Sequence, residues 1–278
     1  MLALATAAEG AVEVQSRSLH GTVSYGGFFS HALDGVDHYS VYLPPGYASS
    51  GRRYPVVYFL HGLPAAPTAY RSIATITDAV ERSGREAIVV GVEGARAGDA
   101  DPEWRDWGPG RDWETATAVE LVHVIDDRYR SIPGRAARAL IGISAGGYGA
   151  TLIASHHPAT YAVIESWSGY FHATNPAGTA ALDLGSTAAD QWANFSQQVP
   201  LLRQRFGKWL STTYYRFYSG TDDARFIVEN EGIAAELRHY RIPHVYFRVY
   251  VGAHTWSLWR EHAEVWVARA LALATSPR

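Results

Sequence analysis

Gly142-Ile143-Ser144-Ala145-Gly146-Gly147 decides the reading of this 278-residue chain. It fits Gly-x-Ser-x-Gly, the pattern of a nucleophile elbow, in which a serine sits on a sharp turn between a strand and a helix. The flanks supply that context. Arg138-Ala139-Leu140-Ile141 is apolar enough for a buried strand, and Tyr148 to Ala154 reads as a helix ending before Pro158. The serine must take a strained backbone conformation to present its hydroxyl. The residues two positions either side must be small, or their side chains would collide across the turn.

Working outward, apolar runs alternate with amphipathic stretches, the signature of a mainly parallel sheet covered by helices on both faces. Strands are expected at Tyr39–Leu43 (early and antiparallel), Tyr54–Leu60, Ala87–Val92, Leu140–Ile143, Tyr161–Trp167, Tyr214–Tyr218 and Val245–Val251. Helices are expected at Thr68–Arg82, Glu114–Tyr129, Asp222–His239 and Ser257–Leu273, with Val119, Val122, Ile125 and Tyr129 sharing one face of the second. Two long loops remain, Gly94–Asp112 and Gly169 to about Leu201, and the latter is expected to cap the site. No domain boundary is marked, so residues 13–278 read as one domain.

Residues 1–12 read as a tail. Met1 to Ala8 has the apolar and small-residue character of the end of a signal peptide, which tips the location toward secretion. It lacks a basic n-region and is too short to be a complete signal. Net charge is −3 without blocks of like charge, so neither nucleic acid nor an anionic membrane surface is an expected partner. No stretch has the length of a bilayer span. Lys208 is the only lysine, a usage that matches a GC-rich bacterial genome. The absence of cysteine excludes disulfides, thiolate metal sites and a cysteine nucleophile.

A serine hydroxyl needs a base, and the base needs an orienting carboxylate. In this architecture the chain order is Ser, Asp or Glu, then His. His254, just after the last expected strand, stands out among the 12 histidines by position. The acid should follow a strand between the two, and Asp222 and Asp223 both do; one of them can instead cap the following helix. Asp183 and Asp190, in the expected cap, are weaker candidates. The oxyanion needs two donors. One is the N–H of Ala145, after the nucleophile. The other comes from His61-Gly62-Leu63-Pro64, where Pro64 has no N–H and Leu63 is the natural donor. His61 reads as a loop-shaping residue. The reaction needs no metal or organic cofactor. Trp104, Trp107, Trp167 and Trp256 are candidates for an aromatic substrate wall, although for any one of them core filling is the commoner use of a large ring. Asn194-Phe195-Ser196 matches a glycosylation sequon.

Several blocks together resemble the putative-esterase family of α/β-hydrolases, which includes feruloyl and acetyl esterases, S-formylglutathione hydrolases and mycolyltransferases. They are Val41-Tyr42-Leu43-Pro44-Pro45-Gly46-Tyr47, Tyr58-Phe59-Leu60-His61-Gly62, Ile125-Asp126-Asp127-Arg128-Tyr129, Gly142 to Ala150 and Gly252-Ala253-His254-Thr255-Trp256-Ser257-Leu258-Trp259. The resemblance implies an α/β-hydrolase fold and a serine carboxylesterase acting on small or polymer-linked esters. It favours Asp223 over Asp222, through a Gly-Thr-x-Asp-like turn, and supports Leu63 and Ala145 as oxyanion donors. The chain departs from the mycolyltransferases at His61-Gly62-Leu63-Pro64, where they carry an Asp-Gly-Leu-Arg-like run. An acyltransferase is therefore the second expectation, and a non-catalytic binding module a distant third.

Overall fold

The computed structural model describes residues 14–15, 21–99, 102–175 and 179–275. The expected tail at 1–12 lies outside them. One nine-stranded sheet runs through the described residues in the order β1-β2-β3-β5-β4-β6-β7-β8-β9. The strands are β1 (Val14–Gln15), β2 (Thr22–Ser30), β3 (Gly35–Leu43), β4 (Val56–Leu60), β5 (Ile88–Val92), β6 (Arg138–Ile143), β7 (Val163–Trp167), β8 (Tyr214–Gly220) and β9 (Val245–Tyr250). β1, β2 and β3 form an antiparallel edge that joins β5, and every pairing from β5 through β4, β6, β7 and β8 to β9 is parallel. This is the α/β-hydrolase fold.

The strand sequences explain the layering. Successive side chains point to opposite faces, and β4 to β7 are buried throughout, so both faces must be apolar. Val56, Tyr58 and Leu60 enter one core, shared with α4 (Leu121–Arg128), α5 (Ala145–His156), α7 (Phe195–Leu210) and α8 (Ala224–His239). Val57 and Phe59 enter the other, shared with α2 (Ala74–Arg82) and α9 (Trp256–Ala274). Short helical pieces α1 (Tyr47–Ser50), α3 (Trp113–Thr115) and α6 (Thr187–Ala193) complete the chain.

Three expectations need correction. β2 was not expected, because Gly26-Gly27 interrupts its pattern. It forms through a nine-residue register with β3. The 113–128 helix contains a π turn at Ala116–Glu120, which shifts the phase of the apolar stripe. Val122 and Ile125 are buried, but Val119 is turned to solvent. The second long loop is not all loop, since α6 and α7 occupy most of its second half. Asn194 of the sequon is buried between them, so the folded chain does not present it for glycosylation.

No helix among the described residues is long and apolar enough to cross a membrane.

Candidate active site

β4 and β6 are neighbours, while the chain leaves them toward opposite edges of the sheet. Their C-terminal ends therefore flank the topological switch point, where open α/β sheets form a crevice. The loop after β4 carries Gly62 and Leu63, and the turn after β6 carries Ser144.

Ser144 has φ 56° and ψ −120°, the strained conformation of an elbow. Its N–H donates to Trp167 O (2.9 Å), tying the turn to β7. The glycines are steric necessities. A Cβ on Gly142 would lie 1.8 Å from Gly146 O, and one on Gly146 would lie 2.1 Å from Leu60 O. Gly62 packs on the serine itself, since a Cβ there would stand 3.0 Å from Ser144 Cβ.

The loops after β8 and β9 are fastened to each other. Thr221 N–H donates to Tyr250 O (2.7 Å) and Asp222 N–H to Gly252 O (2.8 Å). Gly252 N–H donates to Thr221 Oγ1 (3.1 Å). Gly220 has no room for a side chain, because its Cβ would lie 2.2 Å from Gly252 O. This zipper sets Asp223 opposite His254. His254 Nδ1 is 2.7 Å from Asp223 Oδ2 and His254 Nε2 is 2.9 Å from Ser144 Oγ. Asp223 precedes α8 but its side chain makes no capping bond, which leaves the carboxylate to the imidazole. Asp222 is exposed and accepts only a 3.2 Å bond from its neighbour Thr221.

Ala145 opens α5, so its N–H belongs to the helix-terminal donors that have no acceptor inside the helix. Leu63 packs against the apolar cluster of Ala145, Tyr148, Leu152, Tyr170, Ala173 and Ala193, together with Leu182, Leu184 and Phe226. The segment after β7 thus lies against α5, the helix that follows Ser144. It is held there by Tyr148, whose hydroxyl donates to Ala193 O (2.7 Å).

His61 braces its loop. Its ring nitrogens lie 2.9 Å from Gly62 O and 2.7 Å from Glu93 O, and burial pushes its pKa down, toward the neutral form.

The tryptophans divide. Trp104 is 3% exposed and packs on His61 and against Gly149. Trp167 is fully buried and donates to Glu165 (3.0 Å). Both are core residues, not cleft walls: Trp104 belongs to the core on the α4, α5, α7 and α8 side of the sheet and Trp167 to the core on the α2 and α9 side. Trp107 is half-buried and held within its own loop by Pro102 O (2.8 Å) and the Arg105 guanidinium. Trp256 remains exposed at the start of α9, 5.3 Å from Trp259, whose ring in turn lies 5.0 Å from His254.

Two features were missed. Phe226 stacks on His254, with centroids 4.3 Å apart and planes at 22°. Its signal was its place three residues after Asp223, one helical turn on. Glu103 is buried and accepts from Tyr170 Oη (2.7 Å), Thr174 N–H (2.8 Å) and Thr174 Oγ1 (2.6 Å), latching the 94–112 loop to the segment after β7. Only the pairing of distant loops reveals it. Among the described residues no cluster of three or more His, Asp or Glu side chains is arranged to hold a metal.

The "Putative esterase" family model matches residues 30–264. The chain belongs to that family. Esterase Rv1288 of Mycobacterium tuberculosis (strain ATCC 25618 / H37Rv) is 31% identical over 161 residues. That match covers 58% of this chain but only 33% of the relative, so the matched region spans about a third of the length of the curated relative. Esterase MT1326 of strain CDC 1551 / Oshkosh matches to the same extent. Among solved structures, a ferulic acid esterase superposes with a TM-score of 0.74 at 23% identity, covering 92% of this chain and 100% of that one. An S-formylglutathione hydrolase from Agrobacterium tumefaciens gives 0.71 at 16% identity, covering 94% and 99%. At such identities these two likenesses speak for the fold alone.

Proposed function

We propose that this protein is a serine carboxylesterase that works through an acyl-enzyme on Ser144. The observation that carries the reading is His254 placed between two partners, 2.9 Å from Ser144 Oγ and 2.7 Å from Asp223 Oδ2. Membership of an esterase family supports it.

In this reading Asp223 accepts the Nδ1–H of His254 and so holds the tautomer whose Nε2 lone pair faces the serine. Ser144 Oγ attacks the ester carbonyl carbon as Nε2 takes its proton. The N–H groups of Leu63 and Ala145 donate to the oxyanion, the latter with the positive end of α5 behind it. The tetrahedral centre collapses, the alcohol leaves with the proton from His254, and the acyl group stays on Oγ. Water, deprotonated by the same histidine, then attacks the acyl carbon. The carboxylic acid leaves and the serine recovers its proton. Leu63, Leu182, Leu184 and Phe226 are partly buried on the apolar cluster that contains Ala145, and in this reading they offer apolar surface to an acyl or alcohol group.

The test is hydrolysis of a p-nitrophenyl ester series from acetate to palmitate, with methyl ferulate added because a structural neighbour is named a ferulic acid esterase. The wild type turns over at least one member, and Ser144→Ala loses at least about 10³-fold in kcat. Silence of the folded wild type on every ester, or an active Ser144→Ala, overturns the reading.

A further inference from the structure

His254 is held by more than Asp223. Phe226 lies face to face against one side of its ring, with centroids at 4.3 Å and planes at 22°. Trp259 meets it at 85° with centroids at 5.0 Å. Neither aromatic is loose. Trp259 is buried, and its Nε1–H donates to Ser168 Oγ (3.2 Å). Phe226 sits in the first turn of α8, and its carbonyl accepts from Asn230 Nδ2 (2.7 Å) and Ser219 Oγ (3.2 Å). Asn230, fully buried, uses the same Nδ2 to reach Gly169 O (2.7 Å), the residue after Ser168. A chain of contacts therefore runs from Trp259 through Ser168, Gly169 and Asn230 to Phe226, with the part-exposed ring of His254 between the two aromatics.

We propose that Phe226 and Trp259 form an aromatic clamp on His254, in which Phe226 is a positioning residue for the base. The clamp has two consequences. It restricts the rotation about the His254 side-chain torsions by which the imidazole would otherwise swing away from Ser144. It also sets a π face against a group that becomes cationic when it takes the serine's proton, and ring faces attract cations. The charged groups around the ring are Asp223 on its Nδ1 edge, and Arg225 over the rings of Phe226 (5.2 Å) and Tyr170 (5.7 Å). Arg225 is paired with Glu229 (3.2 Å), which also lies 3.4 Å from His172. Arg260 sits over Trp256 at 5.6 Å, and the Trp256 ring lies 5.3 Å from that of Trp259.

The kinetic half of this inference rests on the esterase reading, so the decisive experiment does not use turnover. The His254 ring signal is followed by NMR through a pH titration in wild type, Phe226→Leu and Phe226→Tyr, and assigned by its absence in His254→Gln. Leucine keeps the bulk and loses the π face, whereas tyrosine keeps the face. The midpoint is expected to fall by roughly 0.4–0.7 pH unit in Phe226→Leu and to return in Phe226→Tyr. In parallel, kcat on the best p-nitrophenyl ester falls about tenfold in Phe226→Leu with KM within twofold, and recovers in Phe226→Tyr. That loss is smaller than the roughly 100-fold that a 1 Å misplacement can cost. If Phe226→Leu does not fold, Phe226→Met makes the same comparison. A midpoint that is identical in all three proteins overturns the clamp, as does a kcat loss shared equally by the leucine and tyrosine variants. If the midpoint moves as expected in an enzyme that cleaves no ester, the clamp stands and the esterase reading falls.

Discussion

Asp222 and Asp223 are neighbours of the same type, and in the sequence only the resemblance, through the Gly220-Thr221-Asp222-Asp223 turn, favours Asp223 as the partner of a distant histidine. The backbone decides. Asp222 gives its N–H to Gly252 O and turns its side chain to solvent, so the next residue faces His254. Asp223→Asn should lower kcat by about 10⁴-fold, because the amide no longer holds the imidazole in the required tautomer. Asp222→Asn should stay within about twofold, and steady-state kinetics on one ester separates the two. That Ser144 and His254 would meet was legible, because elbow spacing and chain order are read directly from the sequence. The fate of the tryptophans was not, because whether an indole faces a cleft or a core depends on layers formed by other elements. Trp104 fills space beside Gly149, where a Cβ would meet the indole at 2.4 Å, and no feature of residues 94–112 alone states that.

The elements around the site are joined by buried carboxylates. Glu103 ties two loops through Tyr170 and Thr174. Glu103→Ala strands several buried donors and should cost about 3 kcal/mol, a fall in Tm of roughly 6–12 °C by calorimetry. A Tm within 2 °C of wild type, to order of magnitude, would contradict the latch. Behind the β4 loop, burial and the nearby Glu93 and Glu120 push the Asp37 carboxyl well above its usual range, and burial raises Glu93 as well. The sign follows from linkage. A carboxyl whose folded pKa is raised contributes stability fully below the ordinary carboxylate range, and that stability is lost as pH rises through the folded value. Asp37→Asn has no such proton to lose, so its Tm should gain on wild type as pH rises and converge with it toward acid. Parallel Tm profiles would refute this. At this scale the helices were largely legible from their periodicity. The π turn at Ala116–Glu120 was not, because one extra residue in a turn leaves no mark on composition.

Across the whole molecule, the proposed site lies where four strand ends converge. β4 brings Leu63, β6 brings Ser144, β8 brings Asp223 and β9 brings His254, in parallel register from one side of the sheet to the other. The parallel centre was readable because strands buried on both faces are continuous apolar runs, as in Val56–Leu60. β2 was not, because it is half-exposed and broken by Gly26-Gly27, and only its pairing with β3 makes it a strand. The segment after β7 was expected as a loop cap; it carries α6 and α7 instead, and α6 is tied to α5 by Tyr148 Oη to Ala193 O. The central claim is that these four strand ends serve one covalent event at one serine. The most direct test is acid-quenched turnover of a p-nitrophenyl ester, followed by intact mass and peptide mapping. The account predicts one acyl group, located on Ser144, that disappears on further incubation in water. An acyl group on another residue, or ester turnover that persists in Ser144→Ala, would contradict it.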